Sequence, residues 1–448
     1  MRRPIPRSRR PVRALAAALL TPLLPPLLTG LLSGLLAAPA IAPPAQAAQS
    51  AHAAGCSGVL PAPDAYGITC LRVERHPQRD GSELRDVTMT STAIFQASGG
   101  TPVISPLAEP ITVRVYLPPG YDPAASPRHR SLYLINGGGD AHDEWTTKTD
   151  LVSLLAEVPG HPYDGIVVMP TGGRSGWYAD WAGRTDGFFA PRWETYHISQ
   201  LVPWIDANFA TVADRSGRGL AGVSMGGYGT LRYAAAHPDV FSVVGALSPG
   251  IELRARPAQG TISDSMWQAG AAIAPLDLLD GAFRVNKYDA GGVLVLDQDV
   301  QRLYRLDTLF GPHTTTVSGG RTVYDWPSAN PATLATQGRY APFNGRLAVY
   351  AGGCAPAAAD PPGHGTGPAP SGCGYSTTSS AVTGATTVNE YILGSYAAAF
   401  DATLTGLGVG HRYCYSAGGH DWNSWPAYLT DFLQYAYGTP PARCPTVS

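Results

Sequence analysis

The chain has 448 residues, of which 14% are charged, and a formal net charge of −2. Typical soluble proteins carry about 25% charged residues, and a nucleic-acid-binding surface needs a dense positive patch that this balance does not supply. We therefore expect no nucleic-acid partner. The length is ample for a hydrophobic core and favours one large domain with insertions over two equal domains.

Residues 1–47 have the pattern of a signal peptide. A basic start, MRRPIPRSRRPVR, precedes the apolar run ALAAALLTPLLPPLLTGLLSGLLAA, and Ala45-Gln46-Ala47 has the small-x-small form of a cleavage site. The run is long enough for a membrane anchor, the alternative interpretation, but Pro22, Pro25 and Pro26 interrupt it. We predict an exported protein, extracellular or in the cell envelope, with no stable membrane span after cleavage.

Six cysteines follow this segment, and an even number in an exported chain is typical of disulfides. Among the fifteen possible connectivities, our hypothesis is nearest-neighbour pairing: Cys56–Cys70, Cys354–Cys373 and Cys414–Cys444. No pair has the CxxC spacing of a zinc or redox site, so we predict neither a metal nor another cofactor.

Strand patterns alternate with helix patterns through residues 110–448. The predicted strands include ITVRVYLP, RSLYLING, GIVVMP, GLAG, SVVGALSPG, RLAVYAGG and HRYCYSAGG; the predicted helices are WETYHISQLVPWIDANF, TLRYAAAHP, LGSYAAAFDATLTGLG and WPAYLTDFLQYAYG. This alternation predicts an α/β fold, in which helices cover both faces of a mostly parallel sheet. Residues 48–109 are interpreted as an N-terminal disulfide loop with edge strands.

Two segments interrupt that pattern. Residues 251–342 are polar and broken by glycine and proline, and we expect a cap-like insertion over the carboxyl edge of the sheet, where such folds bind ligands. Residues 354–373, CAPAAADPPGHGTGPAPSGC, are of low complexity and are predicted to form a surface loop closed by its own disulfide.

The motif Gly222-Val223-Ser224-Met225-Gly226 fits G-x-S-x-G. On a sharp strand-to-helix turn, this pattern lifts a nucleophilic serine clear of the sheet, and side chains two residues either side would collide with the strand or the helix. The alternative is a tight glycine turn without a catalytic role. Because a predicted strand precedes the motif and a predicted helix follows it, we interpret Ser224 as a nucleophile.

A serine hydroxyl needs a base, and the base needs an acid to orient it. His420, in SAGGHDWNSW after the last predicted strand, is the candidate base; His411 and His237 are alternatives. The acid is expected between serine and histidine in chain order. Spacing alone leaves three candidates open: Glu390, Asp360 and Asp401.

From about residue 110 to 437 the chain resembles the esterase-D branch of α/β-hydrolases, which includes S-formylglutathione hydrolases, and within it the secreted antigen 85-type mycolyltransferases. The matching stretches are LYLINGGGDAHDEW, VVMPTGGRSGWYADW, RWETY with LVPWIDANF, GVSMGGYG and AGGHDWNSWPAYLTDFL. The resemblance implies an α/β-hydrolase fold and a Ser-Glu-His triad. It favours Glu390, ten residues before Phe400 and thirty before His420, and leaves Asp360 second.

The resemblance also implies an oxyanion hole made of two backbone N–H groups, those of Met225 and Gly138, with Gly137 as the neighbouring candidate. Where the mycolyltransferases carry an aspartate and an arginine that grip trehalose, this chain has Asn136 and Gly139. The continuation MGGYG is typical of plain esterases. Four residues are predicted to contact substrate, core packing being the alternative for the tryptophans: Asn136, Asp140, Trp181 and Trp422.

These features predict an exported serine esterase or acyltransferase that acts on carboxylic esters through an acyl-enzyme, with water or a carbohydrate alcohol as acceptor. One alternative is a plain carboxylesterase for sugar or polysaccharide esters. The other is a non-catalytic cell-surface binding protein that keeps the fold. The sequence leaves open the acyl chain, the acceptor and the oligomeric state.

Overall fold

The structure is a computed structural model that describes residues 55–94, 104–105, 111–173, 176–182, 190–254, 286–288, 294–295, 307–317, 321–353, 385–416, 418–445 and 447. The predicted signal peptide, residues 1–47, and the predicted disulfide-closed loop, residues 354–373, lie outside these ranges. Their assignments, and the domain boundaries drawn from them, stay predictions.

The central sheet has nine strands in the order β1-β2-β4-β6-β5-β7-β8-β13-β14. They are β1 (Ile68–Pro77), β2 (Glu83–Ser91), β4 (Ile111–Leu117), β5 (Ser131–Ile135), β6 (Ile166–Pro170), β7 (Arg218–Val223), β8 (Val243–Leu247), β13 (Leu347–Ala351) and β14 (Arg412–Tyr415). The first three strands in this order pair antiparallel, and the six from β6 to β14 run parallel. The predicted mostly parallel sheet is confirmed.

Helices cover both faces of the sheet. They are α1 (Glu144–Thr147), α2 (Leu151–Ala156), a π-helical turn (Thr195–Leu201) continuing into α3 (Val202–Asn208), α4 (Met225–Ala236), α5 (Asp307–Phe310), α6 (Pro331–Thr336), α7 (Ala385–Gly406) and α8 (Trp425–Tyr437). Helix α4 stops just before Pro238, which cannot continue a helix, and α8 ends at Gly438, both as predicted.

Alternate residues of the buried strands face two separate hydrophobic cores. In β5, Tyr133 and Ile135 belong to the core shared with α3, α4 and α7, whereas Leu132 and Leu134 belong to the core shared with α2 and α8. Strands buried on both faces read as continuous apolar runs because each side-chain direction meets a helix layer. The predicted α/β-hydrolase architecture, with helices on both faces, is confirmed.

Two of the three predicted disulfides are present. Cys56–Cys70 joins the N-terminal loop to β1 at the sheet edge, and Cys414–Cys444 joins β14 to the C-terminal segment. Cys354 and Cys373 lie outside the described residues. Among the helices that the structure describes, none has both the length and the apolar character needed to cross a bilayer.

The segment 251–342 is described in pieces. It contributes α5, α6, the hairpin β11 (Thr314–Val317) and β12 (Arg321–Tyr324), and the short strands β9 (Asn286–Tyr288) and β10 (Leu294–Val295). β9 pairs with both β10 and β3 (Ile104–Ser105). The Leu309 carbonyl accepts a hydrogen bond from the Ala182 N–H at 3.1 Å, and the ring of Phe310 lies 6.0 Å from that of Tyr228 in α4. A cap over the whole carboxyl edge stays a prediction.

Candidate active site

Ser224 occupies the turn between β7 and α4 with φ 54° and ψ −114°. A positive φ is strained for any residue except glycine, and such strain persists only where the surroundings enforce it. Here the Ser224 N–H donates to the Leu247 carbonyl of β8 at 2.8 Å. Ser224 is half-buried, while its neighbours Val223 and Met225 are buried. The turn therefore presents this hydroxyl above the packed sheet.

Glycines flank the turn because larger residues do not fit. A Cβ on Gly222 would lie 2.6 Å from the Gly226 carbonyl oxygen, and a Cβ on Gly226 would lie 2.5 Å from the Ile135 carbonyl oxygen of β5. Both contacts are with backbone atoms, which cannot rotate away. The collision predicted from the G-x-S-x-G pattern is therefore found in the structure.

His420 lies in the loop after β14, beside Ser224. Its Nε2 is 2.8 Å from Ser224 Oγ, and its Nδ1 is 2.7 Å from Glu390 Oε2. An ionised carboxylate can only accept, so Nδ1 carries the proton and Nε2 is left to accept from the serine hydroxyl. The ring stands edge-on to Trp425, with 5.2 Å between centroids. The geometry can move a proton from serine to imidazole.

Glu390, in α7, is fully buried yet well supplied with donors. Besides the bond from His420, its Oε1 accepts from Ser248 Oγ at 2.8 Å and from the Gly352 N–H at 2.7 Å. Three donors converge on one carboxylate, and hydrogen bonds to a charged form favour that form. The pocket is built to hold a negative charge behind the imidazole.

Ser248 was missed in the sequence reading. It directly follows β8, has φ 47°, and its Oγ accepts from Trp425 Nε1 at 3.0 Å while donating to Glu390. Its place at the carboxyl end of the strand next to β7 was a usable signal, because the carboxyl ends of neighbouring parallel strands share one edge of the sheet.

The rival residues take part in other contacts. His411 Nε2 pairs with Asp401 at 2.8 Å in a buried contact, and His237 Nε2 pairs with Glu194 at 2.7 Å. Asp360 lies outside the described residues. Of the candidates that the structure describes, it brings together Ser224, Glu390 and His420.

The two predicted oxyanion groups, Met225 and Gly138, lie just after β7 and β5, which are neighbouring parallel strands. Met225 is the first residue of α4, where a helical N–H has no acceptor in its own helix. Gly137 lies beside the serine, since a Cβ at this position would be 3.7 Å from Ser224 Cβ. Its N–H is already engaged, because it donates to Glu144 Oε1 at 3.0 Å. Gly138 is exposed, and within the described residues no acceptor engages its N–H. Gly138 is thus the available donor.

The Asn136 side chain holds this turn in place through four hydrogen bonds. Its Nδ2 donates to the Gly137 and Asp140 carbonyls at 2.8 and 3.0 Å, and its Oδ1 accepts from the Gly172 N–H at 2.7 Å and the Tyr178 hydroxyl at 3.0 Å. The residue is 1% exposed. The side-chain amide of Asn136, a residue predicted to contact substrate, is therefore already hydrogen-bonded to protein atoms.

The other predicted substrate contacts differ in position. Trp181 is 4% exposed and belongs to the core, as the packing alternative predicts, with its Nε1 donating to the Gly176 carbonyl at 3.2 Å. Asp140 and half-buried Trp422 are joined by Lys148, whose Nζ pairs with Asp140 and lies 5.7 Å from the Trp422 ring. We call these three residues the polar rim.

One group of described residues has the spacing of metal ligands: Glu74, His76 and Asp86, with candidate atoms within 4.8 Å of one another. Both Asp86 oxygens already accept from Arg114, at 2.6 and 2.7 Å. Three strands separate β2 from β7 in the sheet. The group is therefore remote from Ser224 and compensated by a guanidinium, and we assign it no part in the site.

The chain is similar to known esterases along part of its length. Residues 104–293 match the profile of a protein family described as "Putative esterase". The matched segment is under half of the chain; it includes Gly138 and Ser224 and ends before Glu390. The resemblance to esterases is confirmed.

Two curated relatives agree with that resemblance. Esterase Rv1288 of Mycobacterium tuberculosis is 42% identical over 143 residues, which are 32% of this chain and 30% of the relative. The diacylglycerol acyltransferase/mycolyltransferase Ag85B of Mycobacterium leprae is 41% identical over 124 residues, 26% of this chain and 36% of the relative. The matches thus span about a third of these relatives. A solved S-formylglutathione hydrolase of Agrobacterium tumefaciens aligns with TM-score 0.46 and 14% identity over 81% of this chain and 98% of that one.

Proposed function

We propose that the protein is a serine-dependent hydrolase or acyltransferase of carboxylic esters. The observation that carries the proposal is the unbroken line Glu390–His420–Ser224, with hydrogen-bond distances of 2.7 and 2.8 Å. A base adjacent to the hydroxyl, itself oriented by a carboxylate, is what turns serine into a nucleophile. The same line argues against a binding protein that has lost its chemistry.

The reaction has two steps. Ser224 Oγ attacks the ester carbonyl carbon while His420 Nε2 takes its proton, and the Met225 and Gly138 N–H groups bind the oxyanion that forms. His420 then gives the proton to the departing alcohol, leaving an acyl group on Ser224. Paired N–H donors stabilise charge that develops only in the transition state, so they raise the rate without tightening ground-state binding.

The second step needs an acceptor, water or an alcohol. The polar rim places a carboxylate, an ammonium and an aromatic ring beside the Gly138 turn and the His420 loop, which suits a polyhydroxylated acceptor such as a carbohydrate. Ag85B is named an acyltransferase and Rv1288 an esterase. We propose a carbohydrate alcohol or water as acceptor, with hydrolysis of sugar or polysaccharide esters as the second candidate.

The proposed location is outside the cytoplasm, secreted or in the cell envelope. Cys56–Cys70 and Cys414–Cys444 are closed, and structural disulfides persist mainly in oxidising compartments. The predicted signal peptide agrees with this location.

The experiment compares wild type with Ser224→Ala on short p-nitrophenyl esters and on acylated sugars, with and without sugar acceptors. We expect Ser224→Ala to lower kcat by at least about 10⁴-fold, as loss of a triad nucleophile does elsewhere. Ser153→Ala, an exposed serine in α2, is the control and keeps wild-type turnover. Undiminished turnover by Ser224→Ala would refute the proposal, and free acid as the sole product with every acceptor would exclude transfer.

A further inference from the structure

The loop after β5 contains a buried carboxyl group outside the reaction described above. Glu144 begins α1, and only 2% of it is exposed. Its Oε1 accepts the Gly137 N–H at 3.0 Å, seven residues back along the same loop. The side chain therefore clamps the turn whose next residue, Gly138, supplies an oxyanion donor.

The second oxygen of this carboxyl has no donor. Glu144 Oε2 is buried without a hydrogen-bond partner among the described residues. The Asp140 carboxylate, which pairs with Lys148, is close enough to disfavour a charge on Glu144. An ionised carboxylate left so poorly solvated beside another would be very costly. The site therefore suits an uncharged carboxylic acid.

The surrounding groups agree with a neutral Glu144. Burial, and after it the neighbouring Asp140 carboxylate, raise the pKa of the Glu144 carboxyl well above its usual value, while the Gly137 N–H and Lys148 lower it less. Burial raises the pKa of the Tyr178 hydroxyl well above its usual value, so this buried neighbour is uncharged.

The hydrogen bond from Gly137 to Glu144 determines which N–H of this turn is free to bind another acceptor. Gly137 and Gly138 are successive donors, and holding the first on Glu144 leaves the second, exposed N–H for the oxyanion. A charged Glu144 would oppose the oxyanion through a poorly screened interior, where charges interact more strongly than in water. A neutral acid anchors the turn without that repulsion.

We propose that Glu144 is a positioning residue for the proposed acyl transfer, acting as an uncharged acid that clamps Gly137 so that Gly138 binds the oxyanion. The inference rests on the proposed function, since it assigns a role in that reaction. It concerns a side chain that touches neither substrate nor the reacting atoms.

The kinetic test compares wild type, Glu144→Ala and Glu144→Gln on one p-nitrophenyl ester. Alanine releases the turn, so we expect kcat to fall by about 10²-fold, near the cost of losing one oxyanion donor, with KM changed little. Glutamine offers the same acceptor without a charge and should rescue kcat to within about threefold of wild type. Glu157→Gln, exposed at the end of α2, is the matched control. Wild-type kcat in Glu144→Ala, or no rescue by glutamine in a folded protein, would overturn the inference.

Protonation is read separately by infrared difference spectroscopy between wild type and Glu144→Gln at neutral pH. A carbonyl stretch of a neutral carboxylic acid, lost in the variant, is the expected result; loss of a carboxylate band instead would overturn the neutral acid. Fluorophosphonate labelling of wild type separates the two failures. If Ser224 is not labelled and esters are not turned over, the proposed function fails, whereas the infrared result still reports on Glu144.

Discussion

The regions around Glu390 and Glu144 hold two buried glutamates in opposite ways. Glu390, behind His420, is 0% exposed and receives hydrogen bonds from Ser248, Gly352 and His420. Glu144, under the Gly137 turn, is 2% exposed and receives one N–H, with a second carboxylate beside it. Equal burial therefore does not imply equal charge. The number of donors and the sign of the nearest charge decide it.

This difference gives each glutamate a separate task. A carboxylate with three donors can stabilise the imidazolium that forms when His420 takes the serine proton. A neutral acid near the oxyanion can hold the backbone without repelling the developing charge. Two glutamates thus support different steps of one proposed reaction: Glu390 supports the proton transfer to His420, and Glu144 supports the binding of the oxyanion.

The largest expected difference in kcat comes from replacing Glu390 and Glu144, in turn, by glutamine. Glu390→Gln removes the charge and offers His420 the wrong hydrogen-bonding partner, so we expect kcat to fall by about 10⁴-fold. Glu144→Gln, by the argument above, stays within about threefold of wild type. Steady-state kinetics on the same ester measures both. Similar losses in the two variants would remove the distinction drawn between the regions.

The control for this comparison is a third buried carboxyl group. Asp401 lies in α7 with Glu390 but pairs with His411 instead of His420. Asp401→Asn should lower thermal stability without changing the kcat of the folded protein. A loss of kcat as large as that of Glu390→Gln would transfer the acid role to Asp401.

The second effect is a pH dependence of stability. The Glu144 pKa is raised in the folded state, so between the unfolded pKa of about 4.3 and the folded value the folded protein binds the extra proton. Its free energy of unfolding therefore falls as pH rises through this window, by up to about 1.4 kcal/mol per pH unit. Glu144→Gln has no carboxyl group at this position and therefore lacks this pH dependence. Urea unfolding of both proteins across pH should show the variant gaining relative stability as pH rises; parallel curves would contradict a raised pKa.

The smallest effect concerns a single donor to Glu390. Ser248→Ala removes the 2.8 Å bond and leaves Gly352 and His420 in place. A hydrogen bond to a charged group contributes about 1.5–3 kcal/mol, and part of this should appear as a loss in kcat of roughly tenfold. Ser242→Ala, whose Oγ donates to the Arg218 carbonyl away from the site, is the control. Equal kinetics in the two variants would remove Ser248 from the charge-holding pocket.

The sequence predicted those parts of the molecule that depend on local pattern. The strands around RSLYLING, GIVVMP and SVVGALSPG were readable because burial on both faces requires continuous apolar runs. The Ser224 turn was readable because its glycines answer a backbone clash that any larger residue would create. Both features depend on residues that are close together in the sequence.

What depends on tertiary contact was harder to predict. Spacing did not decide among Glu390, Asp360 and Asp401, and the resemblance to a known family was needed to favour one. Glu144 is part of a stretch that carries the family resemblance, ending in DEW, but the sequence predicted no role for it. Its single N–H partner and its acidic neighbour are visible only in the folded loop. The π-helical turn within the helix predicted over residues 193–209 was also not predicted, because apolar residues at helical spacing do not distinguish a π-helical turn from an α-helical one.

The central claim is that Ser224 is the nucleophile activated by His420. The most direct measurement is peptide mapping by mass spectrometry after reaction with a fluorophosphonate probe, for wild type, Ser224→Ala and His420→Ala. We predict one adduct, on Ser224 of the wild type, absent from Ser224→Ala and much slower to form in His420→Ala. An adduct on another residue, or labelling of Ser224 at the same rate without His420, would contradict the account.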